Sequence, residues 1–378
     1  MTTSTVHHAQ SETIARAAVR PAHETERTEA LAERLVGATT AALELFSVHL
    51  GRELGLYDAL CDEPLAPTDL AARTGIAPRY AREWLEQQAV AGVLDVTGAD
   101  SEDRRFALPR AHRPVLVEAD HPAHASPLAD MVAGVAGVVA DLPDAYRTGQ
   151  GVAYSAYGAA FRRGQGGVNR PAFANDLTDW VDALPDVAER MRTDPLGRVA
   201  DVGCGEGWST LALARALPMA AVDGYDSDPA SVDAARRHAA AAGLAGRVTF
   251  HLADAADPNG LRGPYDLVTV FEALHDFARP HDVLAVLRSA LAEGDVVLVA
   301  DERVADRFTA PGDEVERLMY GWSVTHCLPA SLADTPSAAL GTVLRRHTLH
   351  ALAERAGFES TRELALDDDF LRFYRLDR

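Results

Sequence analysis

From Thr28 to Leu56 the apolar positions Leu31, Leu35, Ala38, Ala42 and Leu45 recur at the spacing of one helix face. The pattern predicts a long helix, interrupted near Gly51 or Gly55. Two shorter helical segments follow. PTDLAARTG opens on proline, threonine and aspartate and closes on Gly75; APRYAREWLEQQAVAGVLDV carries Pro78 in its first turn and Gly92 near its end. Proline at helix starts and glycine past helix ends are the expected boundary signals. Two short helices joined by a glycine-containing turn read as a helix-turn-helix unit. The strands LDVTG and RRFALP beyond it would form a hairpin with a polar tip, a wing.

Pro122 to Gly151 reads as a mostly apolar helical connector, followed by a glycine- and aromatic-rich stretch and a helix from Ala172 to about Arg192. Past Arg198 the period changes. Apolar runs at Val199–Val202, Ala220–Tyr225, Val248–Leu252, Leu267–Phe271 and Val296–Ala300 alternate with helical segments. That alternation predicts an α/β domain with a mostly parallel sheet. GFESTRELALD and FLRFYRL would close it as an antiparallel hairpin. The expected division is a polar, flexible arm at 1–27, a winged-helix domain at 28–120, a helical connector at 121–195 and the α/β domain at 196–378.

Charge narrows the partners. The 378 residues carry a formal net charge of −20, and every basic residue is arginine, since the chain has no lysine. Such a balance repels phosphate backbones and anionic lipid. Between Gly51 and Asp120 eight arginines face thirteen acids, and the would-be recognition helix sets Glu83 and Glu86 beside Arg79 and Arg82. A duplex reader wants a basic stripe, so the winged helix is expected to be a dimerisation or lid module, with DNA binding as the rival reading. No nucleic acid or membrane partner is expected. Three scattered cysteines, Cys61, Cys204 and Cys327, fit a reducing cytoplasm and no disulfide framework. The first thirty residues lack the apolar core of a signal peptide, and the longest apolar run, Met131–Ala140, is too short to cross a bilayer.

The chemistry gathers at VADVGCGEGWS, Val199 to Ser209. A strand runs into Gly203, Gly205 and Gly207, then into a helix. Such a loop lets backbone N–H groups approach a ligand closely. A phosphate-binding P-loop needs a lysine, which is absent. The dinucleotide fingerprint needs a third glycine where Trp208 stands. The next strand ends in Asp226 with Ser227 beside it; the third is followed by Asp254 and Ala255; the fourth ends at Phe271 and leads into Leu274-His275-Asp276-Phe277. Taken alone, Asp228 reads as a helix N-cap.

The D-x-G-x-G-x-G loop at Asp201–Gly207 and the acids after the next strands resemble the motifs of class I S-adenosylmethionine-dependent methyltransferases. With the winged helix and the connector, the chain after residue 28 is similar to the plant-type and bacterial small-molecule O-methyltransferases. The resemblance implies a Rossmann-like domain, a homodimer, and S-adenosylmethionine held by Asp201, Gly203, Gly205, Gly207, Asp226, Ser227, Asp254, Ala255 and Phe271. Asp226 would bridge the ribose hydroxyls. His275 falls on the family's general-base position, with Phe277 where the family has tryptophan. The acid that orients the base would be Glu302, with Asp301 as its competitor. The insertion from Val315 to Pro329 would cover a small-molecule acceptor with Met319, Tyr320, Trp322 and His326, although plain core packing explains it as well. Tyr154, Tyr157 and Phe161 could line the same cleft. No metal-ligand spacing is present, so no metal is expected. Two rivals stay open: N- or C-methylation without a base, and a ligand-sensing winged-helix regulator.

Overall fold

The computed structural model describes residues 4–99, 103–193 and 197–378, with side chains from Glu24 onward. The expected long helix runs Ser4–Glu53. Residues 4–27, expected in the flexible arm, are therefore helical, and residues 1–3 of that arm lie outside the described residues. The segment ETERTEALAERL is rich in strong helix formers. Of the two candidate break points, Gly55 ends the helix at φ +64°. Gly51 stays helical and lets other residues close in: a Cβ there would lie 2.5 Å from the Tyr57 ring and 2.6 Å from the Trp84 ring.

The chain divides into two compact units, residues 1–59 with 63–107 and residues 60–62 with 108–378. In the first, helices Pro67–Thr74 and Pro78–Val90 precede a hairpin of β1 (Asp95–Thr97) and β2 (Arg105–Ala107), with Val96 opposite Phe106. Leu70, Leu85 and Phe106 fill its core. The helix-turn-helix and wing follow the sequence reading.

The stretch expected as a connector, 121–195, belongs to the second unit. Its glycine-rich part is a helix, Gly158–Asn175, packed on helix Pro127–Val138. The glycines permit the approach: a Cβ on Gly164 would meet Met131 at 2.7 Å, and one on Gly134 would meet Phe161 at 2.5 Å. The single helix expected from Ala172 to Arg192 is broken into Leu177–Asp182 and Pro185–Thr193 after the first ends. Pro185 disfavours helical backbone in the residue before it.

The sheet holds seven strands: β3 (Arg198–Val202), β4 (Ala221–Asp226), β5 (Val248–Leu252), β6 (Tyr265–Phe271), β7 (Leu291–Glu302), β8 (Ser360–Glu363) and β9 (Leu371–Asp377), in the order β5-β4-β3-β6-β7-β9-β8. The first five named are parallel, and β9 runs antiparallel to both β7 and β8. Packed helices cover two apolar faces, so β6 and the end of β7 are buried along their length. The strand order reverses between β3 and β6. In doubly wound sheets a ligand crevice opens there, at the carboxyl ends of the strands.

Candidate active site

The glycine loop sits at that reversal. Gly203, Gly205 and Gly207 all adopt positive φ, at 76°, 50° and 85°, the region where a Cβ is costly. Their surroundings differ. A Cβ on Gly203 would lie 2.6 Å from Ala273, and one on Gly207 would lie 2.7 Å from Phe250. Nothing stands within 4 Å of the corresponding point on Gly205. Gly203 and Gly205 line a cleft of about 400 Å³ with Asp226, Ser227 and Phe271. Gly207 instead begins the helix Trp208–Ala216.

Asp201 does not reach the cleft. Its Oδ2 accepts from the hydroxyls of Ser209 and Thr210, both at 2.6 Å, and its Oδ1 from Thr269 at 2.9 Å. It ties β3 to β6 and to the helix after the loop. Asp254 and Ala255 are also outside the cleft lining. Asp254 lies in a turn, its carboxylate engaged by Arg279 at 2.5 Å and the Ala256 N–H at 2.8 Å. Both positions therefore stand outside the lining of this cleft, where direct cofactor contacts were expected.

Asp226 ends β4 and lines the cleft. Its two oxygens accept from the N–H groups of Gly205 and Asp228, each at 2.8 Å, and a carboxylate oxygen can accept more than one hydrogen bond. Burial raises the proton affinity of this carboxyl. Asp228 caps helix Pro229–Ala241 through Ser231. It also forms a two-pronged pair with Arg162, at 2.7 and 2.8 Å. Arg162, which the sequence reading did not single out, lines the same cleft.

His275 follows β6 and is 2 % exposed. Its Nδ1 lies 3.0 and 3.2 Å from the two oxygens of Asp301. Glu302 stands at 3.4 Å, beyond a good hydrogen bond. Asp301, the competitor in the sequence reading, is thus the partner of the ring. Nε2 is left over, with Asp276 Oδ1 at 3.4 Å. Burial pulls the proton affinity of the ring down. Asp301, Glu302 and Asp276 together outweigh it and hold the pKa well above the usual histidine value. Burial is likewise the main reason that Glu302 holds its proton well above the carboxylate range. Donor atoms of His275, Asp301 and Glu302, and of His275, Asp276 and Cys327, lie within 4.8 Å of one another. The fold thus assembles donor sets that the linear spacing did not reveal, although Asp301 already engages Nδ1.

A second cavity, of about 450 Å³, is lined by His275, Glu302, Met319, Trp322 and His326. Glu272, Asp276 and His326 line both cavities. His326 sits in a π-helical turn, Ser323–Cys327, and is 2 % exposed. Its Nε2 has no partner, and burial lowers its pKa to about 4. Tyr154 lines the first cleft. Tyr157 and Phe161 stand behind His326, at 4.6 and 4.1 Å between ring centres, and line neither cavity. Tyr320 faces away, 39 % exposed, and accepts from Arg345 at 3.3 Å. Glu272, like Arg162, lines a cavity and escaped the sequence reading of the site. Glu272 takes φ +49° directly after β6, rare for a residue with a side chain. Backbone strain of this kind leaves no signal in composition.

Comparison with known proteins agrees with this architecture. Residues 199–294 match the family described as "Methyltransferase domain", and residues 41–118 match the "Rv2258c-like winged HTH domain". A trans-aconitate 2-methyltransferase of Methylobacterium radiotolerans is 31 % identical over 196 residues, 48 % of this chain and 70 % of that one. Another of that name, from Streptomyces coelicolor, is 38 % identical over 82 residues, 22 % of this chain; the match spans only 25 % of the relative's length. The structure of human N-acetylserotonin methyltransferase with S-adenosylmethionine superposes with a TM-score of 0.66 at 17 % identity, covering 92 % of this chain and 97 % of that one. At that identity the likeness concerns the fold. The open point at Gly205 and the cleft-facing carboxylate of Asp226 fit the cofactor: room against the backbone, and an acceptor for ribose hydroxyls. The chain belongs to the class I S-adenosylmethionine-dependent methyltransferases that carry an N-terminal winged-helix domain.

Proposed function

We propose that the chain methylates a hydroxyl group of a small, secondary-metabolite-like organic acceptor, with His275 as general base. S-adenosylmethionine, when bound, supplies an electrophilic methyl group. Asp226 would hold its ribose, with Gly203 and Gly205 giving close backbone approach. The acceptor would sit in the second cavity, covered by Met319, Trp322 and His326. The observation that carries the reading is the His275–Asp301 pair at 3.0 Å in the wall of that cavity. Asp301 accepts the Nδ1 hydrogen and so leaves Nε2 to take the hydroxyl proton. The carboxylate then faces the imidazolium that forms. Burial keeps competing water from the ring.

The test is methyl transfer from labelled S-adenosylmethionine to a panel of hydroxylated aromatic acceptors. His275→Ala should lower kcat by about 10²- to 10⁴-fold, the range for general-base loss, with cofactor affinity retained. A variant that keeps most of the rate sinks the base assignment and favours transfer to an atom that needs no deprotonation.

The working unit we propose is a homodimer. Leu31, Leu35, Leu43 and Leu50 are 50–60 % exposed along one helix and recur at four- to eight-residue spacing. Such an unpartnered apolar stripe suits a second copy of the same helix. No helix among the described residues is long and apolar enough to cross a membrane. Cys204 and Cys327 are buried thiols outside any disulfide, which supports a cytoplasmic location.

A further inference from the structure

We propose that Glu272 reads the acceptor: its carboxylate receives a positively charged nitrogen carried by the molecule that is methylated. The inference rests on the second cavity being the acceptor site. The acids that line that cavity are Glu272, Asp276, Glu302 and Asp368. No arginine lines it among the described residues, and the chain has no lysine. Three histidines and the buried thiol of Cys327 complete its ionisable lining. The charge of His275 is matched by Asp301 at 3.0 Å. His326, 2 % exposed with Nε2 unpartnered, stays neutral because burial lowers its pKa. His124, the third, is buried in the same lining. An acceptor carrying a carboxylate would thus meet acids with no guanidinium to pair with, a costly arrangement in a buried site. An acceptor carrying an ammonium would meet the acids and the aromatic face of Trp322.

Glu272 is singled out by its backbone. It holds φ +49° while its N–H donates to Ala300 at 2.8 Å. Glycine would take that conformation at no steric cost. Strained positions of this kind cluster where a side chain is needed for function. Glu272 also lines both cavities, at the wall where acceptor and methyl donor would meet. Burial, together with Asp301, Asp368 and Asp276, raises its pKa to about 7 against the opposing effect of His275. The site is short of positive charge, and a cationic acceptor would supply it.

The experiment compares two catechols that differ in charge. Dopamine and 3-(3,4-dihydroxyphenyl)propanoate are titrated calorimetrically into the full chain saturated with S-adenosylhomocysteine. Dopamine should bind at least about tenfold tighter, the scale of a charge-assisted contact. Glu272→Gln should reduce the preference to within about threefold and leave the ratio of S-adenosylmethionine to S-adenosylhomocysteine affinity unchanged. Glu272→Gly should keep or raise the melting temperature while losing the same preference, which separates recognition from folding. Equal binding, tighter binding of the carboxylate, binding of neither, or a preference that survives the glutamine variant each overturn the proposal. A change in the cofactor ratio assigns the acid to the sulfonium and overturns it too. The hydroxyl-methylation reading fails independently, through the rate of His275→Ala.

Discussion

Asp301→Asn is the most informative single change, because it alters charge while nearly conserving shape. Asp301 lies 3.0 Å from His275 Nδ1, and both side chains are buried. At an effective dielectric constant of about 20, unit charges about 3–4 Å apart interact by about 4–5 kcal/mol. Two acids, Glu302 and Asp276, remain near the ring in the variant. In the native protein the pKa of His275 is raised, so the neutral, proton-accepting ring grows as pH increases. The profile of kcat/KM should therefore climb with pH and level off above the raised value. Loss of the Asp301 charge should move that limb to lower pH and lower the plateau. An asparagine amide can also donate to Nδ1, which would leave the Nε2 hydrogen facing the acceptor. A fall of about 10²- to 10⁴-fold at the plateau is expected, in the range of general-base loss. Initial rates from about pH 6 to 10 test this against a cofactor-binding control. A limb that stays in place, or a plateau within threefold of native, would falsify the assignment of His275 and Asp301 as a catalytic pair.

Glu302→Gln should cost less than about tenfold in kcat, because burial already keeps that carboxyl protonated and the amide imitates it; a loss as deep as that of Asp301→Asn would return the orienting role to Glu302. Asp226→Ala should weaken S-adenosylmethionine by about tenfold or more in calorimetry, since it removes the ribose acceptor and frees the Gly205 and Asp228 N–H groups; unchanged affinity would count against the ribose role. Asp201→Ala should cost at least about 3 kcal/mol in chemical denaturation, because three buried hydroxyls lose one charged acceptor. A near-neutral result would show that those hydroxyls find other partners. Leu35→Glu with Leu43→Glu should convert a dimer to a monomer in light scattering, as charges enter the exposed stripe, and an unchanged mass would place the interface elsewhere.

The parts of the fold that were legible follow from local pattern. Five apolar runs between helices gave the parallel sheet within a few residues, and prolines and glycines marked the helix-turn-helix. The helix Gly158–Asn175 was not legible, because four glycines argue against a helix until Met131 and Phe161 are seen pressed against it. In the site, the loop and Asp226 were readable from spacing. The roles of Asp301 and Glu302 were not: they are neighbours at the end of β7, and both reach His275, so only distance separates them. Asp201 misled for a related reason. An acid at the end of a strand looks the same in sequence whether it faces a ligand or three hydroxyls.

The glycine loop itself explains why this cleft suits a sulfonium cofactor and no dinucleotide. Loops of this shape usually recruit phosphate, because backbone N–H groups and a helix start offer positive partial charge. Here the Gly205 N–H is already given to Asp226. The cleft is lined by six acids, among them Glu206, Asp226, Asp228 and Asp334. Its one lining arginine, Arg162, is held in a two-pronged pair with Asp228. A pyrophosphate would bring two negative charges into this field with no free cation to meet them. S-adenosylmethionine brings a sulfonium and an ammonium against one carboxylate, which matches it. Trp208, where a dinucleotide site has its third glycine, adds bulk on the same side: it stacks on His238 at 4.3 Å beneath Arg170 at 4.0 Å. Charge and shape at one loop thus point to the same cofactor, independently of the motif.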